Sequence, residues 1–242
     1  MSSIDPISRR DGVLLEGVTL RRGDTLLFDG LTLALTERRV GLIGRNGSGK
    51  STLLRLAHGL MMPDSGRVTT AGLDTAKDRK LIPSRVGFLF QNPDRQIIFP
   101  TVGEEIAFGF EERGLSAKEA RARAIAALAA HGCAGWEGKA VHELSQGQKQ
   151  LVCLVAVAAL EPRLILLDEP FSSLDLATRL SFGRQLLGLG SALVMASHDL
   201  DLLSAFDRII WLDEGKVRAD GSPAEVLPPY QAEAHAVAGA IP

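Results

Sequence analysis

Eight residues, Gly44-Arg45-Asn46-Gly47-Ser48-Gly49-Lys50-Ser51, follow the pattern G-x-x-x-x-G-K-[ST] without a departure. Val40-Gly41-Leu42-Ile43 before them reads as a short buried strand, and Ser51-Thr52-Leu53-Leu54-Arg55-Leu56 opens a helical pattern. A strand that turns through glycines into a helix N-terminus constrains the chain to an α/β fold with an anion at that turn. The glycines let the backbone pass close to phosphate oxygens, and the amide N–H groups and the positive end of the helix dipole point at the charge. Residues Gly44 to Thr52 are therefore the expected phosphate cradle. Lys50 would reach the β- and γ-phosphates as a point charge, and the Ser51 hydroxyl would take one position on Mg²⁺.

Composition bounds the rest. With 242 residues, 45% of them hydrophobic, the chain is long enough for one large α/β domain or two small lobes. The 27 Lys and Arg against 29 Asp and Glu leave a formal charge of −2, so no basic field argues for nucleic acid. The apolar run Leu151 to Leu160 stops at Glu161-Pro162-Arg163, well short of the roughly 18 to 20 residues that cross a bilayer. Met1 to Asp11 is polar and is not expected to act as a secretory signal. Cys133 and Cys153 form no C-x-x-C pair and are expected as reduced thiols. The five histidines lack ligand spacing, and no protein-only metal site is expected.

Ahead of the phosphate loop, Val13 to Leu20, Thr25 to Phe28 and Leu31 to Leu35 read as three strands of an antiparallel sheet. After it, the helix is expected to reach about Leu60 and to stop at Pro63-Asp64-Ser65-Gly66, before strands at Arg67–Thr70 and Arg85–Phe90. Gln91 then stands at a strand's carboxyl end, where doubly wound sheets place residues that touch ligand. From Asn92 to about Leu160 helical patterns replace strands: Gly103 to Phe110, Ser116 to His131 behind a capping box, and Gln146 to Leu160. That stretch reads as a helical lobe inserted into the nucleotide-binding fold. The sheet resumes at Arg163-Leu164-Ile165-Leu166-Leu167-Asp168-Glu169, an apolar run tipped by two carboxylates. Asp168 is expected to hold Mg²⁺ through water and Glu169 to polarise the attacking water. A helix from Leu176 to Leu189 leads to a second buried strand, Ala192 to Ala196, whose end presents His198 as a candidate γ-phosphate sensor. A hairpin across Glu214-Gly215 completes the pattern, and no element is assigned to the Ala- and Pro-rich tail from Pro223.

In this order the motifs resemble the ATP-binding subunit of ABC transporters over nearly the whole chain. Gly44 to Ser51 resembles Walker A, Leu164 to Asp168 Walker B, Gln91 the Q-loop glutamine, Ser172-Ser173-Leu174-Asp175 the D-loop and His198 the switch histidine. Leu144-Ser145-Gln146-Gly147-Gln148 is similar to the signature motif. The resemblance implies a single ABC ATPase domain over residues 1–242 with a RecA-like P-loop NTPase core at 41–91 and 162–220. An antiparallel β lobe at 11–40, a helical subdomain at 92–161 and a tail at 221–242 complete that division. It also implies ATP and Mg²⁺ as cofactors, with Ser51, Gln91 and Asp168 organising the metal and Glu169, His198 and Gln91 the hydrolytic water. Two copies would sandwich two nucleotides, with Ser145, Gly147 and Gln148 of one copy facing the nucleotide held by the other.

Three positions depart from the family. Gln146 replaces the first glycine of the signature, where a left-handed backbone would be strained. Leu151 stands where arginine is common, and Arg21-Arg22 occupies the turn that normally carries an adenine-stacking aromatic. Arg22 is proposed to stack in its place. The run Phe90 to Val102 and the following Glu105-Ile106-Ala107-Phe108-Gly109 resemble ATPases of energy-coupling-factor importers, in which this region receives a coupling helix. Leu35-Thr36-Glu37-Arg38-Arg39-Val40, Ser145 to Gln148 and Asp168 to Asp175 are most similar to the ATPases of biotin importers, with those of cobalt and nickel importers next. The partners implied are an integral-membrane coupling subunit, a substrate-binding subunit and a second copy of the chain, at the cytoplasmic face of a bacterial inner membrane. A soluble repair or translation ATPase of the same family would need long coiled coils or a second ATPase unit, which this sequence lacks. A P-loop kinase would leave Ser145 to Gln148 and His198 without a role.

Overall fold

The structure, a computed structural model, describes residues 12–239 apart from Ser173. The expectations for Met1–Asp11 and for Ser173 lie outside the described residues. The first half of the chain forms β1 (Val13–Arg22), β2 (Thr25–Leu35), β3 (Arg39–Ile43), α1 (Lys50–Ala57), β4 (Ser65–Thr70), β5 (Leu73–Asp74), α2 (Ile82–Arg85), β6 (Val86–Leu89) and α3 (Val102–Glu111). The second forms α4 (Ala117–Ala130), α5 (Gln146–Ala158), β7 (Leu164–Asp168), α6 (Leu176–Gly188), β8 (Ala192–Ala196), α7 (Leu200–Leu203), β9 (Arg208–Asp213), β10 (Lys216–Gly221) and α8 (Pro223–Gly239).

Two sheets organise these elements. The six-stranded sheet has the order β10-β9-β3-β8-β7-β6, with β9, β3, β8, β7 and β6 running parallel and β10 antiparallel at one edge. Every residue of β7 and β8 is buried, as a parallel sheet covered on both faces requires. Their side chains alternate between two cores: Leu164, Leu166 and Val194 face α1 and the antiparallel sheet, while Ile165, Leu167 and Met195 face α5, α6 and α8. Truncating a side chain as enclosed as Leu166 to alanine would cost about 3 kcal/mol through lost transfer energy and the cavity left behind. The second sheet, β2-β1-β4-β5, is antiparallel and covers α1 from the other side.

A third cluster belongs to the helical segment. Val102, Ile106, Ala120, Ala124, Leu128, Val152 and Val155 pack α3, α4 and α5 together, and α5 also gives Cys153 and Leu154 to the core beneath the large sheet. The capping box at the start of α4 forms as the sequence predicts, with the Ser116 side chain accepting from Glu119 N–H and the Glu119 carboxylate accepting from Ser116 N–H.

Three expectations change. The two strands read at Thr25–Phe28 and Leu31–Leu35 are one strand, β2, because the Asp29-Gly30 break is an irregularity in its pairing with β1 rather than a turn. The helix after the phosphate loop ends at Ala57, a turn before the predicted stop. The tail, left without an element by the sequence, forms α8 in spite of Pro228 and Pro229.

Candidate active site

Four neighbouring parallel strands deliver the candidate residues to one edge of the large sheet. Their carboxyl ends lead into Gly44 after β3, Gln91 after β6, Asp168 and Glu169 at β7, and His198 after β8. This is the edge at which open α/β sheets bind ligands.

The phosphate loop is shaped by close approach. Gly44 has φ +143, and a Cβ there would lie 2.1 Å from the Leu212 carbonyl oxygen, so only glycine fits. Gly49 caps α1 with no side-chain acceptor, which leaves the first amides of that helix free for an anion. Ser48 Oγ is buried without a partner in the same loop. Lys50 is 5% exposed, and its Nζ donates to the carbonyls of Gly44 at 2.6 Å and Arg45 at 3.2 Å. Burial pulls the Lys50 ammonium below its ordinary range, with the Glu169 and Asp168 carboxylates acting against that pull. Arg45, Asn46 and Gly47 are exposed at the loop's tip, and Thr52 is buried behind it.

Ser51 donates its hydroxyl proton to Asp168 Oδ1 at 2.7 Å. Asp168 is almost fully buried and its other oxygen lies 4.0 Å from Arg55 Nη2. Asp168 and Gln91 line one cavity of about 520 Å³, together with Arg55, Gln146 and Ser172. A hydroxyl, a carboxylate and an amide oxygen are hard donors that suit Mg²⁺, which keeps much of its water and takes few protein ligands. With the free amides and the unpartnered Ser48 hydroxyl beside them, these residues fit a metal–nucleotide phosphate.

Glu169 follows in a left-handed backbone, φ +47, and its N–H donates to the Ala196 carbonyl at 2.9 Å. Its Oε2 accepts from His198 N–H at 3.2 Å, and its Oε1 lies 3.2 Å from His198 Nε2. The structure thus joins Glu169 and His198, which the sequence places 29 residues apart.

Arg22 lines a second cavity, of about 360 Å³, with Thr25, Leu27, Gly47, Gly49, Lys50, Ser51 and Thr52. The position suits a base held beside the phosphate loop. Ser145, Gly147 and Gln148 sit elsewhere, at the start of α5, and share no hydrogen bond with the phosphate loop among the described residues. Ser145 and Gln148 instead close a capping box on each other, at 3.2 and 2.9 Å. The strain anticipated at Gln146 is absent, because the residue opens α5 in a right-handed helical conformation. Leu151, where the family commonly has arginine, packs between two apolar clusters, and nearby Lys149 donates to Asp94 Oδ1 at 2.7 Å.

Sequence reasoning missed the contact of α8 with the loop. Glu233 lies 3.4 Å from Arg45 and also pairs with Arg218, which stacks over Trp211. Tyr230 meets Trp211 edge to face at 5.1 Å, and burial pushes its phenol up, with the Glu169 charge adding to the shift. The sequence signal for this contact was the alternation of Val226, Leu227 and Tyr230, broken by the proline pair.

Comparison with known proteins gives these features a setting. Residues 29–172 match the family model described as ABC transporter. The chain is 54% identical over 223 residues, 92% of its length and 95% of the relative's, to the biotin transport ATP-binding protein of Rhodobacter capsulatus. It is 41% identical over 209 residues, 84% of its length and 73% of the relative's, to an energy-coupling factor transporter ATP-binding protein of Symbiobacterium thermophilum. Among solved structures, a dimeric ATP-binding cassette in a post-hydrolysis state with ADP and phosphate superposes with a TM-score of 0.77 at 28% identity, covering 87% of this chain and 98% of that one.

Proposed function

The chain belongs to the ABC transporter family, and from that premise we propose that it is the ATP-hydrolysing subunit of an energy-coupling-factor importer that takes up biotin. The chemical part of this reading rests on one observation: the phosphate loop, Asp168, Glu169, Gln91 and His198 meet at a single sheet edge. The solute rests on the likeness to the Rhodobacter protein named for biotin transport.

ATP lies with its phosphates against the Gly44–Ser51 amides and its base beside Arg22. Lys50 exchanges its two carbonyl partners for β- and γ-phosphate oxygens. That exchange is favourable because its ammonium is already desolvated, so little further desolvation accompanies binding. Ser51, Asp168 and Gln91 would hold Mg²⁺, which would supply charge neutralisation for the nucleotide phosphates. Glu169 orients the attacking water and takes its proton, and His198 fixes the Glu169 carboxylate while facing the γ-phosphate. The start of α5 meets no nucleotide of its own chain in this reading, and a second copy supplies one: Ser145, Gly147 and Gln148 close on the nucleotide bound by the partner.

The assignment of 41–91 and 162–220 as nucleotide-binding core, 11–40 as β lobe, 92–161 as helical subdomain and 221–242 as tail belongs to the same reading. No helix among the described residues is long and apolar enough to cross a membrane. On the likeness to the transport ATP-binding relatives, the chain is read as a peripheral subunit at the cytoplasmic face of the inner membrane, bound to a membrane-embedded coupling subunit and a substrate-binding subunit. Gentle solubilisation of membranes holding a tagged chain, followed by mass spectrometry, tests this. Recovery of a coupling subunit with a biotin-binding membrane protein is expected. A cobalt or nickel binding partner would overturn the solute, and soluble partners alone would overturn the transporter reading.

A further inference from the structure

The start of α5 is tied to the loop that carries Gln91. Gln146 Nε2 donates to Asp94 Oδ2 at 2.9 Å, Lys149 Nζ to Asp94 Oδ1 at 2.7 Å, and Gln150 Nε2 to the Phe90 carbonyl at 3.1 Å. Residues 146, 149 and 150 stand three and four apart, so one face of the helix makes all three bonds. Asp94 itself is braced: its N–H donates to Asn92 Oδ1 at 2.9 Å, it sits in a short 3₁₀ turn started by Pro93, and the Gln96 side chain accepts from Phe90 N–H at 3.2 Å. On another side of the helix, a Cβ at Gly147 would lie 3.1 Å from Thr178 Cγ2 and 3.4 Å from Leu174 Cδ2. The helix start is therefore seated between the Gln91 loop and the beginning of α6.

We infer that Asp94 is a positioning residue, whose two carboxylate oxygens fix the N-terminus of α5 to the Gln91 loop through Gln146 and Lys149. A solvated surface ion pair would hold one long side chain and leave its neighbours free, and such pairs contribute little. Here the Asp94 side chain is 46% exposed but Lys149 is only 15% exposed, both oxygens of the one carboxylate are used, and the second donor is the residue that replaces the signature glycine. Gln146 also lines the cavity that holds Gln91 and Asp168, so the connection runs directly beside the proposed metal and γ-phosphate position. The two bonds to Asp94 hold its carboxyl below the usual carboxylate range, Lys149 first and Gln146 second. These bonds make the Gln91 loop and the start of α5 one unit, so the placement of one sets the placement of the other. A contact of Gln91 in one copy therefore bears on the amides of the same chain that face the other copy's nucleotide.

This inference rests on the two-copy ATPase reading above, and the test separates the two. ATP-driven pairing is measured by analytical ultracentrifugation with Mg-ATP in a Glu169→Gln background, alongside fluorescent-nucleotide binding to dilute chain and thermal melting. Glu169→Gln alone is expected to pair, and its failure to do so would remove the two-copy reading. Asp94→Ala in that background is expected to weaken pairing about fivefold, with nucleotide affinity of the dilute chain and the melting temperature nearly unchanged. Asp94→Asn, which keeps one acceptor, should fall between. Added to Asp94→Ala, neither Gln146→Ala nor Lys149→Ala should weaken pairing further, since the shared partner is already gone. Unchanged pairing in Asp94→Ala, or independent additive losses in the double variants, would overturn the role assigned to Asp94 while leaving the ATPase reading intact.

Discussion

Alanine at Gly44 and at Gly47 should have very different consequences, although both are glycines of the same loop with positive φ. At Gly44, φ is +143, and the new Cβ would lie 2.1 Å from the Leu212 carbonyl oxygen and 2.8 Å from Ser48 Oγ. The Leu212 carbonyl belongs to β9, a strand paired with β3, so it cannot yield and the loop must move by about 1 Å. Backbone strain of about 2 kcal/mol adds to overpacking of about 2 kcal/mol. At Gly47, φ is +86 and no heavy atom lies within 4 Å, so only the left-handed penalty of about 1–2 kcal/mol applies. In a chain of this size each kcal/mol moves the melting temperature by about 2–4 °C. Differential scanning fluorimetry without nucleotide should show Gly44→Ala lowered by about 12 °C and Gly47→Ala by about 4 °C. A displaced loop no longer aims its amides at phosphate, so Gly44→Ala should also weaken ATP binding about a hundredfold. Equal melting shifts in the two variants, or Gly44→Ala within 2 °C of wild type, would refute the close approach of loop and β9 on which the reasoning depends.

Glu169→Gln should retain ATP binding and lose turnover by about 10²- to 10⁴-fold, read as phosphate release; wild-type turnover would remove Glu169 from its role. Arg22→Ala should weaken ATP affinity about fivefold if the guanidinium stacks on the base, and an unchanged titration would leave the base unassigned. Cys133 and Cys153 are each 1% exposed, and burial pushes both thiols up, Cys133 against the opposing charge of Lys139. A raised thiol stays protonated as pH rises through the ordinary cysteine range, so neither should react with a disulfide reagent at pH 8 until denaturant is added, and rapid labelling of the native chain would contradict their burial.

What could be read ahead of the structure was set by short-range chemistry. The phosphate loop needs only its own glycines and the strand and helix beside it, and the start of α4 follows from capping residues three positions apart. The strand at Ala192–Ala196 is a bare apolar run, legible because both of its faces are covered. The failures occur where a long-range partner decides. Gly30 looked like a turn, yet Gly30 N–H donates to Thr19 Oγ1 and Gly17 N–H to Thr32 Oγ1, so β1 absorbs the irregularity and β2 continues. Pro228 and Pro229 remove two backbone donors, but α8 buries its own Val226 and Leu227 in the core and rests Tyr230 on Trp211, which holds the helix where propensity alone would not. Gln146 was judged by a glycine rule, whereas the position is the first turn of a helix and its side chain finds Asp94, 52 residues earlier.

Of the strained non-glycine positions, one coincides with the proposed chemistry. Among the described residues four non-glycines have positive φ: Ala71, Glu161, Glu169 and Glu214. Ala71 and Glu214 each precede a glycine in a tight turn, and Glu161 lies between α5 and β7, where a glycine would serve as well. Glu169 differs, because replacing it with glycine would relieve about 1–2 kcal/mol of left-handed strain and remove the only carboxylate within reach of His198 among the described residues. Its amide is held by the Ala196 carbonyl and its side chain by the His198 backbone, so the strand pair β7 and β8 supports the conformation from both ends. Held at both ends, the Glu169 carboxylate meets His198 at the end of β7, where the proposed reaction needs it.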